Sequence, residues 1–200
     1  IVIQQADERA LAAGTTTDKI FDMLEKNKEH FHVPMVFMTY INVIFVYGIE
    51  KFAKRTKEIG MAGVIVPDMP FEEKEELDQI FRRYELDVIS LIAPTSRERI
   101  KAIAAEAKGF VYCVSSLGVT GVRDDISQGV AEMVREVKKV KDIPCAVGFG
   151  ISTPEQAENM AAVSDGVIVG SAIVRIVGEY GRECVEKVGE YVRSMKEALG

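Results

Sequence analysis

Val147-Gly148-Phe149-Gly150-Ile151-Ser152-Thr153-Pro154 runs from an apolar strand pattern through two glycines into a helix start. A turn of this kind aims backbone N–H groups outward at the positive end of a helix, which makes it an anion cradle. The next unit repeats it, as Val167-Ile168-Val169-Gly170-Ser171-Ala172-Ile173. Both turns follow apolar strands, so the strand-helix alternation around them decides the fold.

The same unit recurs upstream. Gln4 to Ala13 spaces Ala6, Ala10 and Leu11 as a helix that stops at Gly14. Thr15-Thr16-Thr17-Asp18 then caps a second helix, with Ile20, Phe21, Met23 and Leu24 on its apolar side and its end near His30. Val33 to Thr39 is predicted as the first strand, Tyr40-Ile41-Asn42-Val43 as a loop, and Ile49, Phe52, Ala53 and Ile59 mark a helix. Val64 to Asp68 reads as a strand, Glu72 to Tyr84 as a charged helix and Asp87 to Ala93 as a strand. Thr95-Ser96-Arg97-Glu98 caps the helix containing Ile100 and Ile103, and Phe110 to Val114 is the next strand. A glycine-rich connection, Ser115 to Gly121, leads to a helix around Ala131 to Val140. Cys145 to Gly148 is a strand, Thr153-Pro154-Glu155-Gln156 a capping box with proline at the first helical position, and Gly166 to Val169 the last strand. A short helix from Ala172 and a closing helix from Cys184 to Met195 finish the chain.

Strands that are apolar throughout and alternate with amphipathic helices imply a parallel sheet covered by helices, hence an α/β fold. The unit length suits a (β/α)8 TIM-barrel type better than a doubly wound sheet, but a closed barrel needs eight strands and typically about 250 residues. The expected architecture is therefore a single partial barrel domain over residues 1–200, with about six parallel strands. Whether Ile1-Val2-Ile3 forms a makeshift strand stays open.

Composition narrows the function. A chain of 200 residues with 48% hydrophobic content suits one well-cored domain, and a net charge of −6 with scattered Lys and Arg gives no basic face for nucleic acid. The three cysteines are far apart, and Cys113 and Cys145 lie in apolar strand patterns, as expected of buried free thiols in a reducing, cytoplasmic setting. No cysteine-histidine cluster suggests a metal, and the only histidines, His30 and His32, flank Phe31 in a helix-end or loop position. No apolar run approaches the roughly 18 residues of a membrane span, nor does the start read as a signal peptide.

These residues carry a resemblance to the alpha chain of tryptophan synthase. The motifs are Ile3-Gln4 with Arg9-Ala10-Leu11-Ala12-Ala13-Gly14, Phe37-Met38-Thr39-Tyr40 with Asn42, and Val66-Pro67-Asp68-Met69-Pro70. They continue with Ser116-Leu117-Gly118-Val119-Thr120-Gly121, Gly148-Phe149-Gly150-Ile151-Ser152 and Gly170-Ser171-Ala172-Ile173-Val174, nearly to the C-terminus. The resemblance implies a lyase of tryptophan biosynthesis that cleaves indole-3-glycerol phosphate into indole and glyceraldehyde 3-phosphate. It further implies no cofactor in this chain, and an alpha2-beta2 heterotetramer with a beta chain that carries pyridoxal phosphate. The loop from Tyr40 to Val43 and the glycine-rich connection would face that partner. Departures occur at Ile41, at Val43 where proline is common, and at Ile1-Val2.

A retro-aldol cleavage of this kind needs an acid for the indole ring carbon, a base for the glycerol hydroxyl and a carboxylate beside the indole N–H. The family's catalytic Glu and Asp are expected before Ile1, together with two strands and a helix, so no catalytic residue is assigned here and a truncated, engineered or reassembled form is expected. Unpaired sheet edges would then favour self-association. The family likeness makes Gly121, Phe149, Gly150, Gly170 and Ser171 the substrate- and phosphate-binding residues, with Tyr112 and Thr120 supporting and Met38, Tyr40, Leu91 and Ala93 as pocket wall. Asp68 stands at a strand end, where barrel active sites sit, yet aspartate is equally at home in a turn. Asp124 and Asp125 suit a helix start. The alternative to the lyase is a catalytically silent barrel fragment or scaffold that still binds phosphate esters. Another phosphate-binding barrel, such as a sugar-phosphate epimerase or isomerase, lacks its usual metal or paired acid and base.

Overall fold

The computed structural model describes residues 1–94, 97–115, 123–148 and 150–200, the side chains of 123–127 apart. The chain forms two compact units, one of Leu11–Leu91 and one of Ile1–Ala10 with Ile92–Gly200.

In the Leu11–Leu91 unit the order is α2 (Thr17–Asn27), which follows α1 (Val2–Ala12), then β1 (Val36–Met38), α3 (Ile41–Tyr47), α4 (Ile49–Glu58), β2 (Gly63–Ile65), α5 (Glu75–Arg83) and β3 (Asp87–Ile92). Thr16 caps α2, its hydroxyl accepting from the Lys19 N–H at 3.3 Å. The strands are parallel, with Phe37 opposite Val64 and Val64 opposite Val88. Phe21 fills the centre of this unit, 1% exposed, its ring 5.3 Å from Phe37, 5.5 Å from Tyr47 and 5.2 Å from Phe52. The Arg55 guanidinium closes the cluster over the Phe21 ring and pairs with Asp18 at 2.9 Å and Asp22 at 2.8 Å. The Tyr47 hydroxyl donates to the same Asp18 carboxylate, the largest of the influences that hold Asp18 below its ordinary pKa.

Four expectations are corrected in this unit, the first being β2, which spans Gly63–Ile65 rather than Val64 to Asp68. β1 is three residues long rather than running from Val33 to Thr39, because Pro34 has no N–H to pair near its start and β2 sets only three residues, Gly63–Ile65, opposite it. The segment from Tyr40 to Val43 is no loop: Ile41 begins α3. The charged helix starts at Glu75, preceded by a 3₁₀ turn at Phe71–Glu73.

The other unit contains β4 (Val111–Val114), β5 (Cys145–Gly148) and β6 (Gly166–Val167), with α6 (Arg97–Glu106), α7 (Arg123–Val140), α8 (Pro154–Ala161), α9 (Ser171–Tyr180) and α10 (Cys184–Glu197). Ile1-Val2-Ile3 makes no strand, since α1 begins at Val2; its Arg9 guanidinium lies against Gly178 of α9. β4 and β5 run parallel with Tyr112 opposite Ala146 and Val114 opposite Gly148, and β5 and β6 with Val147 opposite Val167. Asp165 pins the start of this ladder. Its carboxylate accepts from the Cys145 N–H at 2.8 Å and pairs with Lys138 at 2.9 Å, and these contacts, the amide first, hold its pKa below the ordinary value. Cys113 and Cys145 are buried free thiols, as expected, and Cys184 is half-buried. β6 has only two residues where four were expected, although the Ile168 N–H still reaches the Val147 carbonyl at 2.7 Å. α7 starts at Arg123, well before Ala131, which puts Asp124 and Asp125 in its first turn.

Removing the central ring should test the first unit. Phe21→Ala is expected to lower stability to urea unfolding by about 3–5 kcal/mol, the usual cost of deleting a fully buried phenyl group; a loss under about 1 kcal/mol would show that the ring cluster is not its core.

Candidate phosphate site at the strand ends

Parallel strands deliver their C-terminal ends to one edge, so the turns after β5 and β6 are neighbours, as the bond from Ile168 to Val147 requires. The reason for glycine at 148 is steric. A Cβ there would lie 2.2 Å from the Tyr112 hydroxyl oxygen and 2.5 Å from its Cζ, so the phenol occupies the space that a side chain would take. Tyr112 itself is 4% exposed, and burial pushes its pKa up, keeping the hydroxyl protonated. Ser115, just past β4, donates to the Gly148 carbonyl twice, from its N–H at 3.0 Å and from its hydroxyl at 2.8 Å. No sequence pattern singles out Ser115, since its partner Gly148 is 33 residues away and only the parallel register brings the two together.

Gly150 is exposed with φ +83°, a left-handed conformation that favours glycine. Beyond it, the capping box forms as expected. The Thr153 hydroxyl accepts from the Gln156 N–H at 3.2 Å, and the Gln156 side-chain oxygen accepts from the N–H groups of Ser152 and Thr153 at 2.8 and 3.2 Å. The amides at the start of α8 are thus satisfied internally.

The start of α9 is different. Gly170 holds its N-cap position with no side-chain capping bond, and a Cβ on Gly170 would meet open space. Both Gly170 and Ser171 are exposed. The N–H groups of this first turn thus lack the capping side chain that Thr153 supplies to α8. Of the two glycine turns, the second therefore offers the helix-end amides, and the first offers its backbone around Gly150.

The expected residues fall as follows. Tyr112, Gly150, Gly170 and Ser171 stand on β4 or at the ends of β5 and β6, in one unit; Ala93 belongs to the same unit and is exposed. Met38, Tyr40 and Leu91 belong to the other unit, Met38 and Tyr40 being 51% and 60% exposed and Leu91 half-buried. Thr120, Gly121 and Phe149 lie outside the described residues, as do Thr95 and Ser96 of the proposed cap before α6. Asp68 proves to be a turn carboxylate: its Oδ1 accepts from the Ile41 N–H at 2.9 Å and caps α3 across the unit. Among the described residues no group of three or more His, Cys, Asp or Glu is placed to hold a metal, and no helix is long and apolar enough to cross a membrane.

Parallel strands that alternate with helices, with glycine turns after the last two of them, are the architecture of the (β/α)8-barrel type. Comparison with known proteins fixes the family. The family model described as tryptophan synthase alpha chain matches residues 1–200, so the chain belongs to the tryptophan synthase alpha chain family. It is 43% identical over 198 residues to the alpha chain of Lacticaseibacillus casei, covering 99% of this chain and 74% of that one. With the alpha chain of Halalkalibacterium halodurans the identity is 49% over 179 residues, covering 89% and 68%. Among solved structures, the alpha subunit from Campylobacter jejuni superposes with a TM-score of 0.89 at 35% identity, over 96% of this chain and 77% of that one. The tryptophan synthase a2b2 complex of Pyrococcus furiosus matches with a TM-score of 0.85 at 32% identity, over 98% and 79%. The described strands are six of those of this barrel fold.

The contact between Tyr112 and Gly148 is open to a direct test. Gly148→Ala should cost about 1–3 kcal/mol in urea unfolding by overpacking. In a Tyr112→Ala background the same change should cost little, giving a coupling of about 1 kcal/mol or more in a double-mutant cycle; additive costs would mean that the two do not share that space.

Proposed function

We infer that the chain performs the alpha-type half of tryptophan synthesis, the retro-aldol cleavage of indole-3-glycerol phosphate to indole and glyceraldehyde 3-phosphate. The bond that breaks joins the indole ring carbon to the glycerol carbon; the ring carbon gains a proton and the glycerol hydroxyl loses one. The residues at the ends of β5 and β6 hold and orient the substrate in this reading. The observation that carries the reading is the uncapped start of α9 beside the Gly150 turn. Gly150, Gly170 and Ser171 bind the phosphate through N–H groups, and the Ser171 hydroxyl adds a donor. Tyr112 holds a protonated hydroxyl behind the turn, and by family likeness Phe149 lines the indole pocket. Asp68 is committed to α3 and receives no proton-transfer role. A silent barrel that keeps only phosphate-ester binding is not favoured by likenesses that extend along the whole chain to lyase subunits.

The chain needs no cofactor of its own in this reading, pyridoxal phosphate belonging to the beta chain with which it forms the alpha2-beta2 assembly. The face around Tyr40 to Val43 suits that partner. Phe45 and Val46 of α3 are 54% and 89% exposed, and Phe45 lines a cleft with Ile41, Met69, Pro70 and Leu77 and the carboxylates of Asp68, Glu73 and Glu76. Buried free thiols at Cys113 and Cys145 suit a reducing compartment, and we place the protein in the cytoplasm.

Two measurements test these assignments. Gly170→Val should weaken phosphate-ester binding and slow indole release by about tenfold or more, the size expected when charge-assisted hydrogen bonds are blocked; unchanged affinity would remove Gly170 from the site. Phe45→Ala should weaken association with the beta chain by about fivefold or more while leaving phosphate binding intact, and unaltered association would place the interface elsewhere.

A further inference from the structure

The turn that joins β5 to α8 is restrained from three directions. At its start, Ser115 grips the Gly148 carbonyl with two hydrogen bonds. Near its end, Gln156 gathers the N–H groups of Ser152 and Thr153 and the Ser152 hydroxyl, the last at 3.2 Å. The third restraint comes from 39 residues away in sequence, where the Tyr191 hydroxyl donates to the Ser152 carbonyl at 3.0 Å. Tyr191 is half-buried on α10, a helix that packs against both α8 and α9. Burial pushes its pKa up, so the hydroxyl remains a donor throughout the neutral range.

Between the fixed points Gly148 and Ser152 stand Gly150, exposed and left-handed, and Ile151, 4% exposed and anchored in the core. Gly150 carries no side chain to fix its amide, so its position follows from the residues that flank it. Gln156 holds the N–H side of Ser152 and Tyr191 holds its carbonyl side, so the orientation of that residue is set by both. The same α10 also lies on α9, whose first turn supplies the other half of the site.

We propose that Tyr191 is a positioning residue of the phosphate site, setting the turn at Gly150 through its hydrogen bond to the Ser152 carbonyl. This rests on the reading of Gly150, Gly170 and Ser171 as phosphate-binding. Tyr191 touches no substrate in this scheme; it aligns the amides that do, and links the C-terminal helix to both halves of the site.

The test is equilibrium binding of inorganic phosphate and of glycerol 3-phosphate to the full chain, alongside urea unfolding. Tyr191→Phe keeps the ring and removes the donor, and should raise Kd for both probes by about three- to tenfold with little change in the unfolding midpoint. Met195→Ala, a truncation on the same helix at a buried residue, should lower the midpoint and leave Kd unchanged. Equal Kd for Tyr191→Phe and wild type would overturn the proposal, as would a Met195→Ala chain that loses affinity to the same degree, since the effect would then be general to α10. If the wild type binds phosphate and Gly170→Val does not, while Tyr191→Phe binds as wild type, the site stands and only the role of Tyr191 falls. Wild-type chain that binds neither probe would remove both.

Discussion

A single carbonyl, that of Gly148, takes both hydrogen bonds from Ser115, and the functional end of the Ile92–Gly200 unit depends on where it sits. The parallel register brings the ends of β4 and β5 level, with Val114 opposite Gly148, and the two bonds tie the Gly148 carbonyl to the residue just past β4. The absence of a side chain at 148 lets the Tyr112 phenol lie across the strand end. Hydrogen bonding and steric exclusion thus act on the same residue.

The two glycine turns look alike in composition but differ in electrostatics. α8 satisfies its own first turn through Thr153 and Gln156, which leaves little of its positive end for a ligand. α9 has glycine at its cap and exposed backbone around it, so its dipole remains available. One turn is thus closed by its own side chains and the other is left without a capping side chain.

Much of this was legible because it was local. The caps at Thr16 and Thr153 were read from short side chains placed three residues before their partners, and the strands from unbroken apolar runs such as Cys145 to Gly148. The order of glycine motifs carried the family. What escaped was fixed by contacts distant in sequence. α3 has no capping side chain of its own at Tyr40, so its start was invisible until Asp68 arrived from 27 residues away. The short β1 reflects the length of its partner as well as the proline in its own segment. Ser115 and Tyr191 bond to carbonyls 33 and 39 residues away, and no spacing rule points to either.

The Asp68 cap carries a consequence for the order of assembly. A helix of seven residues is far below the length at which helices persist alone in water, and α3 begins without a capping side chain in its own segment. It acquires one only when the turn after β2 is in place. The exposed Phe45 and Val46 are therefore displayed by an element that forms after the strand pairing around it, and opens first when that pairing loosens. The face that carries Phe45 and Val46 is contingent on the sheet, so only a chain whose β2 has already folded presents it.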